Sequence, residues 1–286
     1  MRTPMEISAS PRQLSRTLLL PVATLLAVSA CEDAPDPGDV GNGSDGEPPV
    51  ASVPSPSGAT ILDLLQRGET VIGIQSGEHT AEQGSAILQA QDADFVFYSL
   101  ESGPWDMDAL EAYRAGMEEG IQTSGGELAA LPILLRIPPI RDLGEEEARA
   151  RVREGLERGV AGIVYPHVMS REEAEIAGDA LGGGDRVNVL LIEDPEVVER
   201  AGEIVTAPGA GVIIPAPGDL GRAFDGDEEA TEEAIQRVLA VCLEHGVPCG
   251  ITAGVDDIGE RIEQGFRFFI VRDPEAVEVG LAAAGR

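Results

Sequence analysis

Lysine is missing from this sequence. All 20 basic residues are arginine, set against 51 acids for a net charge of −31. Without a lysine amine there is no Schiff-base chemistry, which excludes lysine-dependent aldolases and pyridoxal enzymes. A lysine-bearing phosphate loop is excluded as well. The excess of acid argues against nucleic acid as a partner, because a phosphate backbone would meet a strongly negative surface. A solvated acidic surface that keeps the chain soluble accounts for the charge. Cysteine is nearly absent too: Cys31, Cys242 and Cys249 are the three. With only His245 near the last two, they do not make a zinc site. Buried thiols, or a disulfide in an oxidising compartment, are the readings left for them.

The first 30 residues have the form of a processing signal. Arg2, Arg12 and Arg16 make a positive start, and the apolar stretch "TLLLPVATLLAVSA" is too short to span a bilayer. It ends in small residues directly before Cys31, the pattern of a bacterial lipobox. The expectation is a lipoprotein signal peptide over 1–30, lipidation of Cys31, and a membrane anchor in the bacterial cell envelope, on a periplasmic or outer-membrane face. Residues 31–58 follow as an acidic segment rich in Pro, Gly and Ser. They carry too little apolar surface to fold and are expected to form a disordered tether.

Residues 59–286 alternate between two patterns. Eight short apolar runs recur: "TVIGIQ", "DFVFYSL", "PILLRI", "AGIVYP", "VNVLLIE", "GVIIPA", "VPCGITA" and "FRFFIV". Between them lie amphipathic stretches of helical period, such as "GEEEARARVREGLERG" and "EEATEEAIQRVLAVCLEHG". Near-continuous apolar strands separated by helices predict parallel β/α units. Eight units in this length predict a (β/α)8 TIM barrel, with an open doubly wound sheet as the rival.

Active sites of such barrels sit at the C-terminal strand ends, so the residues following each run are the candidates. Glu193 and Asp219 close the fifth and sixth runs. As neighbours in one mouth they suit a hard divalent ion, Mg2+ or Mn2+; as isolated acids they would be helix or turn caps. Arg136 closes the third run before a Pro-Pro turn, where it can bind a carboxylate or a developing enolate, or close the barrel through an ion pair. Gly218 in "APGDL" brings backbone N–H groups beside Asp219. His79 ends the first run and His167 the fourth. Each is a candidate base, with a surface helix start and a pocket wall as the respective structural alternatives. His245, at a helix C-terminus, and Trp105 read as structural residues.

The stretches "DFVFYSLESGPWDMDAL", "LLRIPP", "GVAGIVYPHVMSREEA", "VLLIEDPEV" and "GVIIPAPGDLG" occur in an order and spacing that resemble the HpcH/HpaI aldolase/citrate lyase family. The likeness spans roughly residues 60–284. It implies an oligomeric (β/α)8 barrel that makes or breaks carbon–carbon bonds beside a 2-oxo acid, using a divalent metal (Mg2+ or Mn2+, with Co2+ an alternative) and no lysine. It also implies roles: Glu193 and Asp219 as metal ligands, Arg136 on the pyruvate enolate, and the N–H groups of Gly218 and Asp219 on the substrate carboxylate. Here the sequence departs from the pattern. Where the family has Asp-Gly-Glu-His after the second strand, this chain has Ser99-Leu100-Glu101-Ser102, so the general-base histidine and its supporting aspartate are absent. Leu191 stands where a glutamine is frequent. Two expectations therefore remain: a retro-aldol lyase that takes its base from His79, His167 or a metal-activated water, or a barrel that has lost catalysis and binds a small carboxylate or an envelope partner.

Overall fold

The computed structural model describes residues 58–90 and 92–286. The expected signal segment over 1–30, Cys31 and the tether over 31–58, apart from Gly58, lie outside the described residues. Among the described residues no helix is long and apolar enough to cross a membrane.

The eight apolar runs are eight strands: β1 (Val71–Gln75), β2 (Phe95–Ser99), β3 (Ile133–Arg136), β4 (Gly162–Tyr165), β5 (Val187–Ile192), β6 (Val212–Pro215), β7 (Gly250–Thr252) and β8 (Phe268–Val271). They pair in parallel, in the order β6-β5-β4-β3-β2-β1-β8-β7. The two ends of that order then meet. Ile213 of β6 bridges Cys249 in parallel, and the Ile213 N–H donates to the Pro248 carbonyl at 3.1 Å. The sheet closes into a (β/α)8 barrel, which removes the doubly wound alternative.

Helices form where the amphipathic stretches were expected, at Met107–Thr123, Glu145–Glu157, Arg171–Leu181 and Glu228–His245 among others. Their starts are chemically marked. Asp106, Ser170 and Asp227 each accept an N–H bond from the residue three positions on, at 2.9, 3.2 and 3.0 Å, which satisfies an otherwise orphaned donor of the first turn. Three glutamates occupy the first turn of Glu145–Glu157, where the helix dipole favours negative charge.

Two apolar layers hold the barrel. Strand residues such as Ile72, Tyr98, Leu135, Ile163, Leu190 and Ile213 face the helices. Phe95, Leu134, Val164, Val189, Val212 and Phe268 fill the interior, joined from below by Ile61 and Leu64 of the first helix, Ala59–Gln66. Phe95 and Phe268 stack with ring centroids 4.8 Å apart. Gly73 is what lets Phe95 lie there, since a Cβ at position 73 would stand 2.1 Å from the Phe95 ring. The barrel interior at the level of Phe95 and Phe268 is therefore filled by side chains, and the pocket described below opens at the C-terminal strand ends. At the lower rim Asp94 accepts the Ile72 N–H at 2.8 Å and holds the Arg286 guanidinium at 2.8 and 2.9 Å, tying the chain's end to β1.

Candidate active site

Side chains alternate across a strand, so each strand sends residues of one parity inward. Counting up from the packed Phe95–Phe268 level, the next inward positions include Phe97, Leu191, Ile214 and Ile270. The strand ends add Gln75, Ser99, Arg136, Glu193, Thr252 and Arg272. These residues line one pocket of about 420 Å³, with an apolar floor and a polar wall. The helix Pro217–Ala223 adds Gly218, Asp219 and Arg222 to the wall. Backbone N–H groups of a helical first turn have no partner within the helix, and in this helix Gly218 and Asp219 carry them.

Arg136 is held from two sides. Its Nε donates to Ser99 Oγ at 2.9 Å, and Nη2 pairs with Glu101 Oε2 at 2.8 Å. Its guanidinium lies 5.2 Å from the centroid of the Phe97 ring. The register of β2 against β3 sets Ser99 beside Arg136, so Ser99 orients the arginine. Glu101, just past the end of β2, takes its role from this ion pair with Arg136.

Glu193 is the buried acid of the pocket, only 3% exposed. Burial pushes its carboxyl up to about 7. The nearby charge of His167 opposes that rise, and the charges of Asp219 and Glu101 add to it. The His167 N–H donates to Glu193 Oε2 at 2.7 Å, a contact that fits His167's left-handed backbone at φ 49°. Only a few per cent of non-glycine residues take that conformation. The His167 ring turns the same way: Nδ1 stands 3.4 Å from Glu193 Oε2 and 3.3 Å from Asp194 Oδ2. Asp194 occupies the N-cap position of Pro195–Val198 but makes no capping bond. Its carboxylate serves His167 instead, with Arg141 3.9 Å away. Asp219 pairs with Arg222 three residues on in the same helix, a spacing visible in the sequence as Asp-Leu-Gly-Arg.

A cation fits this arrangement. A buried carboxylate that burial drives toward its neutral form gains from a positive partner, and Glu193, Asp219 and Glu101 supply the oxygen donors that hard divalent ions take. Among the described residues, one trio of potential ligand atoms lies within 4.8 Å of one another, contributed by Glu101, His167 and Glu193.

His79 also lines the pocket. Its ring stacks on Tyr98 with centroids 3.9 Å apart, and Tyr98 meets Tyr113 edge-on at 5.3 Å. Burial lowers the His79 pKa, opposed by the charge of Asp106, so the ring is neutral at pH 7. Of the sequence candidates, Arg136, Glu193, Gly218, Asp219 and His79 share the pocket, and His167 adjoins it through Glu193. Ser102 is exposed and does not line the pocket. His245 lies exposed in the last turn of its helix. Trp105 packs under Arg151 at 4.7 Å and donates from Nε1 to Glu154 at 2.8 Å, the structural role expected of it. Cys242 and Cys249 are buried free thiols.

No protein-family model matches the chain. A hydroxypyruvate/pyruvate aldolase of Delftia acidovorans is 33% identical over 241 residues, covering 72% of this chain and 83% of that protein. Among solved structures, an HpcH/HpaI aldolase/citrate lyase family protein from Burkholderia cenocepacia superposes with a TM-score of 0.62 at 18% identity, covering 80% of this chain and 96% of that one. An HpcH/HpaI aldolase from Desulfitobacterium hafniense gives 0.60 at 18% identity, covering 77% and 93%. A citrate lyase beta subunit from M. tuberculosis, complexed with oxaloacetate and magnesium, gives 0.55 at 17% identity, covering 77% and 99%.

Proposed function

The chain belongs to the HpcH/HpaI aldolase/citrate lyase family, and from that membership we propose that it is a divalent-metal-dependent carbon–carbon lyase. It cleaves a 2-oxo acid by retro-aldol chemistry and releases pyruvate or a close relative. The observation that carries this reading is the convergence of Arg136, Glu193 and Asp219, from β3 and the segments after β5 and β6, on one pocket. Relatives lend the same direction: one is named for pyruvate chemistry, and another was solved with magnesium and oxaloacetate.

Glu193 and Asp219 would hold the ion, Mg2+ or Mn2+ with Co2+ as an alternative. When bound, the ion supplies Lewis-acid polarisation of the 2-oxo group. Arg136, fixed by Ser99 and Glu101, holds the oxygen on which negative charge develops as the bond breaks. The N–H groups of Gly218 and Asp219 hold the substrate carboxylate. The floor of Phe97, Leu191, Ile214 and Ile270 keeps water from the reacting carbon. His79, neutral and in the pocket wall, takes the proton from the hydroxyl on the departing carbon. That carbon leaves as an aldehyde, the electron pair of the broken bond passes into the enolate, and a returning proton makes the methyl group of pyruvate.

The test needs no knowledge of the aldehyde. Pyruvate in heavy water with Mg2+ or Mn2+ is expected to exchange its methyl protons in the presence of the protein, and Arg136→Ala is expected to abolish that exchange. Folded protein that gives no exchange with Mg2+, Mn2+ or Co2+ refutes enolate chemistry here. A second reading would then stand, that of a barrel which binds a small carboxylate in the envelope without turning it over. The observation that favours it is Ser102, exposed and chemically inert at the position of the family's base.

The proposal extends to location. Arg2, Arg12, Arg16 and the small residues before Cys31 support export and lipid anchoring at the cell envelope. Cys31→Ala is expected to move the protein from the membrane fraction to the soluble one. Unchanged membrane association would refute the anchor.

A further inference from the structure

The two histidines near the pocket are held in different ways. His79 is stacked on an aromatic ring and lines the cavity. His167 is tied to the buried acid at both ends: its backbone N–H bonds Glu193 Oε2 at 2.7 Å, and its ring Nδ1 lies 3.4 Å from the same oxygen. Asp194, 3.3 Å from Nδ1, fixes the ring from the other side, as a carboxylate commonly does for an imidazole that ligates a metal. Asp219 is meanwhile engaged by Arg222. Among the described residues, Glu193 shares one group of potential ligand atoms with Glu101 and His167, all within 4.8 Å of one another.

We infer that His167 is a nitrogen donor to the metal centre, and that the centre therefore takes a borderline transition ion such as Co2+ in preference to Mg2+. The inference rests on the metal-dependent reading above. Imidazole suits the later first-row ions, whereas carboxylate, carbonyl and water suit Mg2+. One nitrogen among carboxylate oxygens shifts the site from the second class toward the first. His167 in this role is no longer free to act as base, which leaves that task to His79.

The experiment uses the full chain, stripped of metal by chelation. Co2+ and Mg2+ are titrated by calorimetry into the wild type, His167→Asn, His167→Gln and Glu193→Ala. Asparagine tolerates the left-handed backbone that His167 adopts, so His167→Asn keeps the loop and serves as the control for strain in His167→Gln. The wild type is expected to bind Co2+ more tightly than Mg2+. Both His167 variants are expected to lose about tenfold or more in Co2+ affinity, within the range of a lost metal-site contact, while Mg2+ affinity stays within a few-fold. Bound Mn2+ is expected to show nitrogen hyperfine coupling by pulsed electron paramagnetic resonance, absent from both variants. If Glu193→Ala abolishes binding but the His167 variants bind Co2+ as the wild type does, without loss of nitrogen coupling, the inference falls and the lyase reading stands. If the wild type binds neither ion, or if Glu193→Ala binds as the wild type does, the metal reading itself falls and takes the inference with it.

Discussion

Glu193 makes the metal-free protein less stable as pH rises, and Glu193→Gln should remove that cost. Its carboxyl goes from an ordinary value of 4.5 to about 7 in the folded chain, chiefly through burial. A raised folded-state pKa means that the folded protein binds more protons than the unfolded one between those two values. Stability from this group is thus fully present below 4.5 and is lost as pH rises through about 7. At about 1.4 kcal/mol for each tenfold, the interval amounts to roughly 3 kcal/mol, an order-of-magnitude figure. The side chain is 1% exposed, so solvent screening does not reduce it. Glutamine keeps the shape and can still accept the His167 N–H, but it carries no charge to desolvate. In chelator, urea unfolding at pH 8 should find Glu193→Gln more stable than the wild type by up to about 3 kcal/mol. Near pH 5 the gap should shrink to under about 1 kcal/mol. A divalent ion at 100 times its dissociation constant should add about 2.7 kcal/mol to the wild type, and little to the variant. A variant less stable than the wild type at pH 8 without metal, or a difference that does not change with pH, would refute the reasoning.

Three further outcomes follow from the same geometry. His79→Gln should remove the acid limb of the pyruvate-exchange pH profile: in the wild type exchange falls as His79 protonates, below its ordinary value of 6.5 because burial lowers it, and a limb that persists in the variant would clear His79 of the base role. Gly73→Ala puts a methyl group 2.1 Å from the Phe95 ring, and overpacking of this kind typically costs about 1–3 kcal/mol; Phe95→Leu in the same chain should recover part of it in urea unfolding, and an unchanged midpoint in the single variant would show that the ring is not confined. Asp94→Asn leaves the Arg286 guanidinium without its two charged contacts at 2.8 and 2.9 Å and should cost on the order of 1–3 kcal/mol by thermal or urea unfolding, with no effect on metal affinity.

How far the sequence discloses this molecule depends on whether a feature is local. Each strand was legible because a parallel strand covered on both faces must be apolar along its length, and runs such as "VNVLLI" have no other stable use. The helices were legible from their period. Closure was expected from the count of eight units, and it is made through β7, three residues long, meeting β6 through a bridge at Ile213 and Cys249. The pocket was legible in part for a geometric reason: residues at parallel strand ends must gather, so Arg136, Glu193 and Asp219 could be named before their distances were known.

What stayed hidden were the pairings made after the chain turns away from the strands. Asp194 precedes a proline in the form of a helix cap, yet its carboxylate turns to His167, because the left-handed backbone at position 167 brings the imidazole back over the end of β5. Asp219, one helical turn from Arg222, is claimed by its own helix. These two redirections change what the pocket can be. The acid expected to complete the metal site is shared with a guanidinium, and an imidazole stands in contact with the other. A strand-end inventory counts acids and histidines alike as candidates, and it cannot separate them by partner. The partner is what separates them here: one histidine packs on Tyr98 in the pocket wall, and the other stands against Glu193 and Asp194.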